Sequence, residues 1–164
     1  MRRRGVSLIE TALFVPVLVM LLVGMAELAR VTYTYYTLHK TLYTVARFLG
    51  TQQGAVLCDA GDAVVQSSKA YALTGNTDGS GQSFMQGLTA DMIQVRLERY
   101  DAESATLGAC ECSITGCDSS QGGTPPDFLV VTIPDGYPVR INLPYLTTDP
   151  ILFRPIIRVP YGGT

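Results

Sequence analysis

Residues 1–50 read MRRRGVSLIETALFVPVLVMLLVGMAELARVTYTYYTLHKTLYTVARFLG. Three arginines and a glycine lead into an apolar run from Val6 to Ala29, interrupted only by Glu10 and Glu27 near its ends. As a helix, 24 residues span about 36 Å, enough for one crossing of a hydrocarbon core about 30 Å thick. Arg2, Arg3 and Arg4 hold the short N-terminal end in the cytoplasm, so everything after the run is exported. A removable secretory signal also begins with a basic region and an apolar stretch, and Gly24-Met25-Ala26 has the small-x-small form of a cleavage site. The apolar run is long for that purpose, and a discarded signal has no use for Glu10 or for the ordered pattern that follows Ala26.

That pattern is a heptad seam. Leu28, Val31, Tyr35, Leu38, Leu42, Val45 and Leu49 alternate spacings of three and four residues. No proline interrupts the seam, and Gly50 stands where a C-terminal cap belongs. The spacing therefore predicts one helix that crosses the membrane over 6–29 and continues outside it over 30–50. Two surfaces compete for the seam: the chain's own exported body and other subunits. Tyr33, Tyr35 and Tyr36 sit where an interfacial aromatic belt belongs. Pro16 falls within the membrane portion, where neighbouring helices help to satisfy the carbonyl it frees.

Glu10 is the informative residue. An acid near a helix start is favoured by the helix dipole, which does not explain this position. Cleavage after Gly5 would place a new α-amine on Val6 and make Glu10 the fifth residue of the product. The amine of one subunit and the carboxylate of its neighbour then neutralise each other, whereas an unpaired acid at mid-membrane costs about 2.5 kcal/mol or more. This reading assigns Gly5 and Val6 to processing. It assigns Glu10, Pro16, Leu28, Val31, Tyr35, Leu38 and Leu42 to assembly between subunits.

The string RGVSLIETALFVPVLVMLLVGMAELAR resembles the TadE-like family of the tight-adherence (Flp) pilus system. The basic leader, the glycine and the glutamate five residues later resemble a type IV prepilin leader. The resemblance rests on Glu10, Ala12-Leu13, Pro16 and Glu27 within residues 4–30. It implies a pseudopilin or minor pilin, matured by a prepilin peptidase and engaged in assembling a pilus or related secretion filament. The implied partners are other pilin or pseudopilin subunits, the peptidase, the inner-membrane assembly platform and the lipid bilayer. The implied location is a single pass in a bacterial inner membrane with the C-terminal domain extracytoplasmic, and from there entry into an extracellular pilus. The competing expectation is an uncleaved, membrane-tethered binding or scaffold domain of an envelope complex.

The exported body, residues 51–164, is one small domain. The chain carries 12 Lys+Arg and 14 Asp+Glu, and loss of residues 1–5 would remove three of the arginines. Such an acidic body argues against nucleic acid, which requires a dense basic surface. With one histidine, no tryptophan, no Walker loop, no G-x-G-x-x-G and no G-x-S-x-G, the chain lacks material for an enzyme, and no cofactor is expected. Cys58, Cys110, Cys112 and Cys117 all lie on the exported side, where disulfides persist. The C-x-C-x4-C spacing is off pattern for zinc, so disulfides are expected and no metal. Three pairings remain open, the tight Cys110–Cys112 ring being the least favoured. A bridge from Cys58 into the 110–117 loop would tie the helical half to the sheet half.

Asp62 to Leu73 reads as a short helix stopped by Gly75. Gly87 to Ile93 reads as a helical turn, and IQVRLERY (93–100) as a half-buried strand by its alternation. Residues 102–127 are turn-rich. FLVVTI (128–133), a turn at Asp135-Gly136, YPVRINL as a returning strand and IIRVPY near the end complete the expected β structure. Pro134, Pro138 and Pro144 suit strand ends. The fold class expected is α+β: a long N-terminal helix packed on a small antiparallel sheet.

Overall fold

The computed structural model describes the backbone of residues 3–52, 55–143 and 146–162. Side chains are described for 9–52, 55–118, 120–142 and 148–162, so the side chains of Gly5, Val6 and Pro144 lie outside the described residues. Helix α1 runs unbroken from Arg3 to Gly50, with Pro16 inside it. At 1.5 Å per residue it is about 72 Å long. Only its last turns belong to the core: Leu38, Leu42, Val45, Ala46 and Leu49 are all 0% exposed.

Helix α2 spans Ala63–Thr74. Asp62 caps its start by accepting hydrogen bonds from the backbone N–H groups of Val64 (2.8 Å) and Val65 (3.3 Å), which would otherwise lack intrahelical partners. Gly75 ends it in the left-handed region at φ 85°, its N–H donating to the Tyr71 carbonyl at 2.8 Å. The expected turn near residue 90 is a single 3-10 turn, Ala90–Met92.

The main sheet contains β1 (Gln94–Asp101), β2 (Thr106–Ala109), β3 (Phe128–Thr132) and β8 (Ile156–Pro160), in the antiparallel order β2-β1-β3-β8. Helices α1 and α2 lie together, and α1 packs on β3 and β8. Leu97, Leu129, Val131 and Ile157 join the α1 core residues and Val65 in one apolar cluster. Arg96, Glu98 and Arg158 come from alternate positions facing the other way, and Arg158 pairs with Glu98 at 2.7 Å. Strand β3 is central, so Val130 and Thr132 are buried as well.

Two expectations are corrected. FLVVTI and YPVRINL do not form a hairpin. The turn is present, with the Gly136 N–H donating to the Ile133 carbonyl at 3.1 Å and Gly136 at φ 81°. However, β1 and β8 already occupy both edges of β3, so the returning segment leaves the sheet. It forms β4 (Tyr137–Val139), paired with β7 (Ile151–Phe153), and β5 (Asn142–Leu143), paired with β6 (Leu146–Thr147). Glycine is required at 136 on two counts, since an added Cβ would also lie 2.9 Å from Leu152 Cβ. The second correction is β2, which lies inside the segment read as turns. All four of its residues are exposed, so no apolar alternation marked it.

Candidate assembly surface

From Ile9 to Leu22 every residue of α1 is exposed. By length and composition this helix suits one membrane crossing, and its most apolar window has none of its surface buried in the domain. Glu10 stands on this bare part. It lines a shallow hollow with Thr11, Leu13, Phe14 and Val17. Leu13, Phe14 and Val17 follow Glu10 by three, four and seven residues, the spacing of one helix face. The acid therefore heads an apolar stripe. Pro16 is exposed on the same segment.

The seam is divided between two environments. Leu28 is 68% exposed and Tyr35 45% exposed, with Tyr35 set edge-on against Phe153 at 5.6 Å between ring centres. Val31 is half-buried. Leu38 and Leu42, expected among the positions facing other subunits, are corrected: both are fully buried against the chain's own sheet and second helix. The periodicity is the same throughout, but the domain reaches only part-way down the helix. A buried leucine has no surface left for a partner.

At the foot of the domain is a charge cluster that seam reasoning passed over. Arg30 pairs with Glu27 at 3.0 Å. Its guanidinium also donates to the Arg140 carbonyl, and Glu27 accepts from the Asn142 N–H at 3.4 Å. This turn of α1 thus grips the chain from Arg140 to the start of β5. Its sequence signal was the acid–base pair three residues apart, and what it grips was not readable. Aromatic side chains of α1 also meet others beyond it: Tyr33 and Tyr36 line a groove of about 650 Å³ with Tyr71 and Phe84, all four exposed.

The cysteines form two bridges, Cys58–Cys112 and Cys110–Cys117. The first joins the segment before α2 to the loop after β2. Arg99 reaches into that loop and donates to the carbonyls of Gly116 (3.2 Å), Thr124 (2.5 Å) and Pro125 (3.3 Å). Among the described residues no group of three or more His, Cys, Asp or Glu side chains is placed to hold a metal ion.

No curated protein and no solved structure matched the chain. The family model of TadE-like proteins matches residues 5–47, which takes in the bare apolar stripe, the Glu27–Arg30 grip and the buried turns of α1.

Proposed function

We propose that the chain is a pilin-like subunit, a pseudopilin or minor pilin, in the assembly of a Tad/Flp-type pilus or related secretion filament. It acts by packing and catalyses no reaction. The observation that carries this reading is the contrast within the TadE-like segment. Residues 9–22 stay bare, with Glu10 heading an apolar stripe, while residues 38–49 are locked into a folded domain. A helix anchored at one end and bare at the other suits lateral packing against similar helices in lipid, where shape and paired polar groups drive association. On this reading a prepilin peptidase cuts between Gly5 and Val6 on the cytoplasmic face, and other pilins and the inner-membrane platform are the partners.

Intact-mass measurement of the protein from cells with an active prepilin peptidase tests this. A product beginning at Val6 is expected. A chain retaining Met1 would mean an uncleaved tether for an exported scaffold domain instead.

The role of Glu10 is tested separately. Glu10→Leu removes a charge from the bilayer, so membrane levels should hold or rise. Co-assembly, read by crosslinking to partner pilins, should fall about tenfold or more, because a neighbour's amine is left charged and unpaired in lipid. Glu10→Gln should fall similarly, since it keeps the polar group and loses the charge. Wild-type crosslinking in either variant would reduce Glu10 to an interfacial acid.

A further inference from the structure

The first half of strand β1 is paired on one side only. Toward β3, Gln94 to Glu98 are matched with Thr132 to Phe128. Toward β2 the pairing covers only Glu98 to Asp101, and its last rung is the Cys110 N–H donating to the Leu97 carbonyl at 2.9 Å. Beyond that rung the chain turns away, with Cys112 held by Cys58 and Cys110 by Cys117. Strand alternation points the peptide groups of Val95 to the same side as the Leu97 carbonyl, along this open edge. Neither the N–H nor the C=O of Val95 has a hydrogen-bond partner among the described residues.

The edge opens onto a cavity of about 510 Å³, with Leu57, Val65, Ile93 and Leu97 among its apolar lining. Lys69 also lines it and is only 6% exposed. The Lys69 amine has no hydrogen bond and no ion pair within 4 Å among the described residues. Burial lowers its pKa, and the nearby charge of Asp91 partly raises it again. Unpaired backbone groups on a strand edge, beside an apolar hollow and a poorly solvated cation, call for a ligand with its own backbone and an acid.

We propose that the open edge of β1 receives an extended, acidic segment of another exported polypeptide as a short added strand. Its backbone pairs with Val95, one side chain enters the hollow, and a carboxylate side chain meets Lys69. From Ile93 to Leu97 the edge takes about four residues at roughly 3.3 Å each. Past that point the disulfide loop closes the line. The proposal is independent of the pilus reading, because β1 and α2 lie outside the TadE-like match.

The probe is a doubly blocked peptide, acetyl-Val-Thr-Glu-Thr-Val-amide, whose valine and glutamate side chains share one face of a strand, titrated into the ¹⁵N-labelled full chain in detergent micelles. Saturable shifts are expected at the Val95 and Leu97 amides. N-methylation of the two valines and the glutamate removes the donors that face Val95 in an antiparallel pairing and should weaken binding about tenfold or more. Replacing the peptide glutamate by glutamine should also weaken it about tenfold, without touching the protein's fold. In Lys69→Met the two peptides should bind alike. The proposal is overturned by no shift at Val95, by equal binding of the N-methylated peptide, or by the same shifts on concentrating the protein alone. The last result would identify a second copy as the occupant.

Discussion

Replacing Cys58 and Cys112 together by serine should lower the stability of the folded domain by about 4 kcal/mol. The bridge closes a loop of 54 residues, and the chain-entropy relation gives about that much for a loop of this length. The Cys110–Cys117 bridge closes only seven, for which the same relation gives about 2 kcal/mol. Urea unfolding of the full chain in detergent, followed by tyrosine fluorescence, measures both double variants. The order of the two losses is the decisive result. If the seven-residue bridge costs more, its value lies in shaping the 110–117 loop and not in restraining the unfolded chain. In the wild type, alkylation under denaturing, non-reducing conditions should add no mass, since among the described residues no cysteine is free.

Leu42→Ala should cost about 3 kcal/mol, within the range for emptying a fully buried leucine site. Leu28→Ala, at an equivalent step of the same heptad pattern, should cost less than about 0.5 kcal/mol, because Leu28 is 68% exposed. The same urea experiment reads both. On the proposed pilin-like reading, crosslinking to partner subunits should show the reverse order: Leu28→Ala weakens co-assembly although the domain stays folded. Equal losses of stability would mean that the N-terminal half of the seam also packs on this chain. Unchanged crosslinking in Leu28→Ala would remove that position from the assembly surface.

The two leucines also show how far periodicity carries. The three-and-four spacing from Leu28 to Leu49 announced an apolar face, and the helix is continuous as the uninterrupted pattern required. The pattern could not divide the face between the chain's own core and the outside. That division depends on how far down α1 the sheet and α2 reach. The Glu27–Arg30 pair was visible as two charges three residues apart, yet its hold on Arg140 and Asn142 links positions more than a hundred residues distant. No local signal reports such a contact.

Local chemistry alone determined α1, with its apolar length, the end of its seam at Gly50 and the position of Glu10. It also determined α2, bounded by Asp62 and Gly75, and the inward set of Val95 and Leu97 in β1, with Ile93 just before it. Each of these follows from side-chain period and backbone preference within a few residues. Only the tertiary structure decided which strands pair, which cysteines join and which edge stays open. β3 rejected its sequence neighbour β4 because β1 and β8 already held both its edges. β2 was unreadable because an exposed edge strand needs no apolar alternation. The open rung at Val95 lies where the chain leaves the edge of β1 after Cys110, in the stretch that two disulfides hold. These are choices among distant surfaces competing for one site, and the free energy that settles them is that of the packed whole.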